Sequence, residues 1–391
     1  MAITAPIPAA RGTATATGAA LRSRETSLRL AGALLLALAT AAFLFGAAWD
    51  IQWHPSVGRD RALTSPHLLL LSGIALSGLI SLALILLDTW RAWRGREVDD
   101  SNSTMLLGVF RAPIGLYIAG SGALLGALAF PLDDYWHTLY GIDVTLWAPF
   151  HVMVISSMVM VGVGTLFAIA SELNRLAAGR SWLIAQVGFA VVLALTLATL
   201  LLLLAQADYK EGLASIGGYQ FVLYPILLAF ALALALVGVV RVTRLGGAAT
   251  IMALVFLAIR QGLYLFVPWA MKIAVTAEGF AYRPNAPTEV VTPYAYPTAV
   301  LAAALIVDAV ARVARRRGLE GDRAVLVAGV VTSVLATFWD QPWAHTLRAF
   351  FYPSLDTGAT LLRTLPFTVA AALVGAGAAV LLARSLNATR Q

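Results

Sequence analysis

Ten apolar runs dominate this chain, and most approach the ~20 residues that an α-helix needs to cross ~30 Å of hydrocarbon. They fall at about 28–48, 66–87, 105–130, 149–170, 182–205, 219–240, 248–268, 293–311, 324–339 and 360–383. The ninth is short and is read as continuing to Trp343. The pattern predicts an all-α fold: a polytopic membrane helix bundle of about ten transmembrane helices in five hairpins. Residues 1–27 are expected as a disordered cytoplasmic tail, since the stretch to Ala20 is rich in Ala, Thr and Pro. Residues 28–384 form the transmembrane domain and 385–391 a second cytoplasmic tail. The N-terminal stretch has no compact apolar core with a cleavage site, so the first helix is read as a true span.

Composition agrees. Only 12% of the 391 residues are charged, against ~25% in a soluble globular chain, which excludes a water-soluble enzyme. Cysteine is absent, so disulfides, iron–sulfur clusters and thiolate zinc sites are excluded. Any metal must use His, carboxylate, Met or backbone oxygen. The net charge of +7 follows the rule for cytoplasmic loops rather than a nucleic-acid footprint. Of 27 Lys and Arg, 18 fall in the two tails and the alternate connections that share their side. The other connections hold 7, and Arg111 and Arg260 lie within spans. The positive-inside bias therefore places both termini in the cytoplasm. All five histidines, His54, His67, His137, His151 and His345, then face outward from the cell membrane.

The outward connections repeat. The first carries Asp50, Trp53, His54, Gly58, Asp60, Pro66 and His67; the second carries Asp133, Trp136, His137, Gly141, Asp143, Pro149 and His151. Both fit D-x-x-W-H-x-x-x-G-x-D, with a second His 13 or 14 residues after the first. Asp340, Trp343 and His345 form a worn third copy with the His displaced by one place. Asp and His at i and i+4 share one helix face. A hairpin that folds back after Pro can bring the later His opposite that pair. Imidazole and carboxylate together bind Zn, Cu, Fe or Ni, and facing helices of a bundle are a usual place for such sites. The candidate metal ligands are Asp50, His54 and His67, with Asp133, His137 and His151. Asp60, Asp143, Asp340, His345 and Arg260 are additional candidates for the metal site. A hydrogen-bonded polar cluster is the competing reading of the same residues.

The first hairpin, with Asp50, Trp53-His54, Arg59-Asp60 and Thr64-Ser65-Pro66-His67, resembles the C subunit of the membrane copper monooxygenases that oxidise methane and ammonia. That subunit carries a D-x-x-x-H helix, an Arg-Asp pair five residues after the His, and a Thr-Pro-Ser-His ending 13 after it. The resemblance covers about 20 residues and repeats weakly in the second hairpin. It implies copper ligation by Asp50, His54 and His67, and companion membrane subunits. Pro and Ser are exchanged here, Arg61 stands where Thr usually follows Arg-Asp, and the family subunit has fewer spans.

Three classes of function fit these residues. One is a copper-site protein, either a copper-dependent oxygenase subunit or a copper-handling protein, with zinc as the alternative metal. Another is a transporter or channel with an Asp/His proton or ion site. The third is a structural membrane subunit with a vestigial site. The first is favoured, because Asp88 and Asp308 lie near the cytoplasmic ends of their spans and no span is broken at its centre. No Walker loop, G-x-S-x-G or nucleotide fingerprint occurs, so the lipid bilayer is the expected partner, and nucleotide and nucleic acid are not. Arg260 interrupts the seventh span, where it either pairs with an outward Asp or snorkels to the interface. Gly120, Gly122, Gly126, Gly162 and Gly164 are read as helix-packing positions. The Pro- and Tyr-rich connection at about 269–292 is the longest outward loop, read as a lid, a partner surface or a plain capping loop.

Overall fold

The computed structural model describes residues 12–58, 63–95, 103–141, 146–173, 175–204, 213–294, 296–318, 322–339 and 356–388. In hydrocarbon a backbone N–H or C=O finds no water, so long apolar segments close their hydrogen bonds internally as helices. The chain does this repeatedly: α1 (Gly12–Ser56), α2 (Ser65–Trp93), α3 (Ile114–Tyr140), α4 (Pro149–Leu173), α5 (Arg180–Leu201), α6 (Leu223–Val242) and α7 (Ala248–Ala277). The short α8 (Val291–Tyr294) precedes α9 (Val300–Arg316), α10 (Asp322–Trp339) and α11 (Thr357–Ala388). Among the described residues, eight helices are long and apolar enough to cross a membrane. These are α1 to α7 and α11, and they mark the chain as a multi-pass integral membrane protein. Leu76, Leu79 and Leu82 of α2 and Leu124 and Leu128 of α3 are exposed, as expected of side chains facing lipid tails.

Several expected boundaries shift, and α3 and α7 run on to Tyr140 and Ala277, past the expected ends at 130 and 268. Helix is already formed at Gly12, so part of the stretch expected as a disordered tail is helical. The run expected to span from 105 starts at Ile114, because Thr104–Leu106 and Phe110–Ala112 pair as an antiparallel hairpin, β1–β2. The run expected from 219 starts at Leu223, because Leu213–Ile216 and Tyr219–Val222 pair as β3–β4. The eighth and ninth runs yield the shorter helices α9 and α10, so eight rather than ten helices meet the length and hydropathy of a span. In α9 the buried residues Val300, Ala303, Ala304, Val307, Ala311 and Ala314 form one stripe, and Arg315 and Arg316 crowd its last turn. On that buried face Asp308 caps the start of α7, accepting from Ala249 N (3.3 Å), Thr250 N (2.8 Å) and Thr250 Oγ1 (2.7 Å). The carboxylate meets orphan N–H groups at the positive end of a helix dipole.

Between helices in lipid, close backbone approach replaces the hydrophobic effect as the adhesive. At the α3–α4 seam a Cβ on Gly115 would stand 2.5 Å from Gly164 O, and one on Gly122 would stand 2.6 Å from Ser157 O. Gly120 has ordinary clearance, its nearest neighbour being Ser81 Cβ at 3.4 Å. A separate small-residue seam joins Ala229 and Ala233 of α6 to Ala372, Ala376 and Ala379 of α11. The main core runs through α1, α4, α5, α6 and α7, with Phe43, Phe189, Phe256 and Trp53 among its fully buried side chains.

A buried ion network, not anticipated from the sequence, ties α1, α2 and α4 at the end remote from the two hairpin turns. The Arg29 guanidinium meets Glu25 (2.6 Å), Asp88 (3.0 Å) and Glu172 (3.3 Å). Arg91 and Arg175 flank Asp88 and Glu172 at 3.6 and 3.7 Å. Three carboxylates thus face three guanidiniums. The Arg29→Met variant leaves its buried carboxylates without their central partner and should lose about 3–5 kcal/mol of stability. Arg91→Ala, at the half-exposed rim, should cost under ~1 kcal/mol. Thermal melts in detergent read both, and equal losses would contradict the hierarchy. Reporter fusions near Arg94 and Arg315 should report cytoplasm, and those near Gly217 and Asn285 the outside. An inversion at any of these would overturn the assigned orientation.

Candidate metal centre

Each triad is assembled by the same local logic. Asp50 and His54 lie one turn apart near the end of α1, and the chain returns through Thr64, whose hydroxyl accepts from His67 N at 3.4 Å. Pro66 fits the first turn of α2, where a missing N–H is harmless, and His67 follows as its third residue. The return brings His67 Nε2 to 3.2 Å from Asp50 Oδ1, while His54 Nε2 lies 3.4 Å from Asp50 Oδ2. In the second hairpin Asp133 and His137 end α3, and His151 is the third residue of α4. His137 Nε2 and His151 Nε2 each lie 3.4 Å from Asp133 Oδ2. Within each triad one ligand atom from each residue lies within 4.8 Å of the others.

These spacings suit a shared ion. Nitrogen and oxygen donors bound at ~2.0–2.2 Å in a tetrahedral shell stand about 3.3–3.6 Å apart, which brackets most of the observed contacts. Asp133 Oδ1 is buried and accepts no hydrogen bond among the described residues, a condition that buried carboxylate oxygens rarely tolerate.

In the second triad a backbone carbonyl orients one ring. His137 Nδ1 lies 3.2 Å from Gly141 O. A carbonyl only accepts, so Nδ1 carries the proton. In the neutral ring Nε2 then presents a lone pair to the Asp133 carboxylate, and only a proton or a metal ion between them relieves the repulsion. Donation of the remote imidazole N–H to a backbone carbonyl is the usual support of a metal-bound His.

The six residues expected as ligands therefore form two separate triads at one end of the bundle, joined by an aromatic contact. The His67 ring meets Phe130 edge-on at 5.3 Å between centroids, and Phe130 stands one turn before Asp133 on α3. Arg260 is outside both groups: its guanidinium stacks over the Tyr264 ring at 5.0 Å, and the triad ion pairs do not include it. Asp60, Asp143, Asp340 and His345 lie outside the described residues. The residues that hold the first hairpin from outside it, Glu278, Arg283 and Glu289, were not singled out from sequence. Their contacts cross more than 200 positions, and no local pattern reports them.

If each triad is one site, purified protein loaded with Zn(II) or Cu(II) should hold two equivalents per chain. His54→Ala and His137→Ala should each hold one, and the double variant none, by metal analysis after desalting. A double variant that still holds two would place the metal elsewhere. No known protein family, no curated protein and no solved structure matches the chain, so the residues of the two triads carry the functional reading by themselves.

Proposed function

We propose that this protein of the cell membrane holds copper at its two outward-facing Asp/His triads. Its role would be that of an oxygenase-related subunit, akin to the C subunit of the membrane copper monooxygenases, or of a copper-handling protein. The observation that carries the reading is the convergence, in each of two hairpins, of one carboxylate oxygen and two imidazole nitrogens within 4.8 Å of one another. The His137 Nδ1 contact with Gly141 O supports the same reading, because a metal-bound imidazole commonly donates its remote N–H to a backbone carbonyl.

Copper is favoured over zinc by donor chemistry. With no thiolate in the chain, two imidazoles and one carboxylate remain, and such a set binds Cu(II) more tightly than Zn(II). The register of Asp50, His54 and His67, which matches the copper-ligand motif of the resembled family, points the same way. A bound copper would supply one-electron chemistry. The chain's own contribution is to hold the donors at fixed spacing on facing helices and to orient at least one ring through a backbone carbonyl.

Protein dialysed against equimolar Cu(II) and Zn(II) should retain copper. His54→Ala and His67→Ala should each lose one copper while still inserting in the membrane, because the apolar helices dictate insertion. Protons compete with the metal for imidazole nitrogen, so occupancy should fall as pH drops through the range of free imidazole, near ~6.5. Full copper retention by both variants, or none in loaded wild type, would leave the triads as polar clusters and favour a transporter or a structural subunit.

A further inference from the structure

The two triads match in ligand geometry and differ in what lies against them. Ligand side chains are similarly enclosed, 11–16% exposed in the first and 14–19% in the second. The contrast is in the surrounding chain. After α7 the segment 278–291 doubles back onto the residues interleaved with the first triad. Gln52, between Asp50 and His54, donates from Nε2 to Glu289 O (3.3 Å) and accepts from Val291 N (2.9 Å). Arg283 donates from its backbone N to Ser56 O (2.8 Å) and from Nη2 to Gly58 O (3.1 Å). Ser65, two residues before His67, donates to Glu278 Oε1 (2.7 Å). Phe280 packs edge-on against Trp53 at 5.9 Å, and Trp53 is fully buried.

The equivalent positions of the second hairpin carry no such strap among the described residues. Trp136, in the place of Trp53, packs only locally, on Tyr140 and Phe150. Gly58 and Gly141 occupy the same place in the repeat and share positive φ, +70° and +83°. A Cβ on Gly58 would collide with the Arg283 guanidinium, whereas none of the described atoms lies within 4 Å of one on Gly141. The neighbours Tyr135, Leu139 and Tyr140 are exposed.

We propose that the two triads divide the work: the second exchanges metal with the surrounding solution, and the first retains it behind the 278–291 strap. The Phe130 contact places the open site beside the closed one, so metal taken up at the second triad arrives next to the retaining site. This inference rests on the reading of both triads as copper sites.

The test loads purified protein with isotopically enriched copper, chases with excess copper of natural abundance, and follows retained label by mass spectrometry. Wild type should release two coppers in two phases of equal amplitude. His137→Ala should delete the fast phase and His54→Ala the slow one. The double variant Gln52→Ala/Arg283→Ala removes three strap hydrogen bonds and should speed the slow phase by about tenfold or more, at net hydrogen-bond strengths, with the fast phase unchanged. Release in one phase, deletion of the fast phase by His54→Ala, or a slow phase indifferent to the strap variant overturns the division of labour. If two coppers bind and leave together, the copper reading stands and the inequivalence falls. If wild type binds no copper, both fall.

Discussion

An ionised side chain at the edge of hydrocarbon must meet an opposite charge, a metal ion or water, because nothing in the lipid phase compensates it. That requirement organises this bundle more than any apolar contact does. Apart from Asp308, which caps α7, the enclosed carboxylates of α1–α4 divide between two ends. At one end Glu25, Asp88 and Glu172 surround Arg29 and are balanced by arginines. At the other Asp50 and Asp133 each face two imidazoles, whose charge depends on what they bind. The first arrangement is neutral by composition and acts as a clamp on α1, α2 and α4. The second carries one negative charge per triad while its imidazoles are neutral, which a proton or a metal ion offsets, and a structure that keeps two such places is suited to holding a cation.

Much of this was legible in the sequence because the informative patterns are local. The i, i+4 spacing of Asp50 and His54, repeated in Asp133 and His137, needs only a helix to become a shared face. A Pro shortly before His67 and His151 needs only a hairpin to bring the third donor across. Both triads assemble from hairpins of consecutive helices, so no long-range knowledge was required. The existence of most helices was equally plain, since apolar runs of that length have few alternatives in a bilayer.

What was missed has two physical causes. Hydropathy cannot separate an apolar strand from the helix it abuts. Met105-Leu106-Leu107-Gly108-Val109-Phe110 reads as the start of a span, yet Leu107 and Gly108 adopt positive φ, 53° and 68°, and close a two-residue β-turn. Gly217-Gly218, also at positive φ, does the same before α6. In both places a glycine at a left-handed position outweighs the apolar pattern. The second cause is distance along the chain. Arg29 meets Glu172 across 143 positions and Gln52 meets Glu289 across 237. Such partners carry no periodicity, so the ion clamp and the strap emerge only when the helices are packed.

Those long-range contacts also explain how two copies of one motif can diverge. The donors, their spacing and the glycine that ends the turn all lie within one hairpin, so a single local motif specifies each triad. The motif does not specify the 278–291 strap, which belongs to a different part of the chain and reaches the first hairpin alone among the described residues. Ligand geometry is therefore set locally and cover is set by the rest of the chain. A pair of sites with the same donors but different cover binds the same ion with different access, which is the simplest physical route from a repeated motif to two separate tasks.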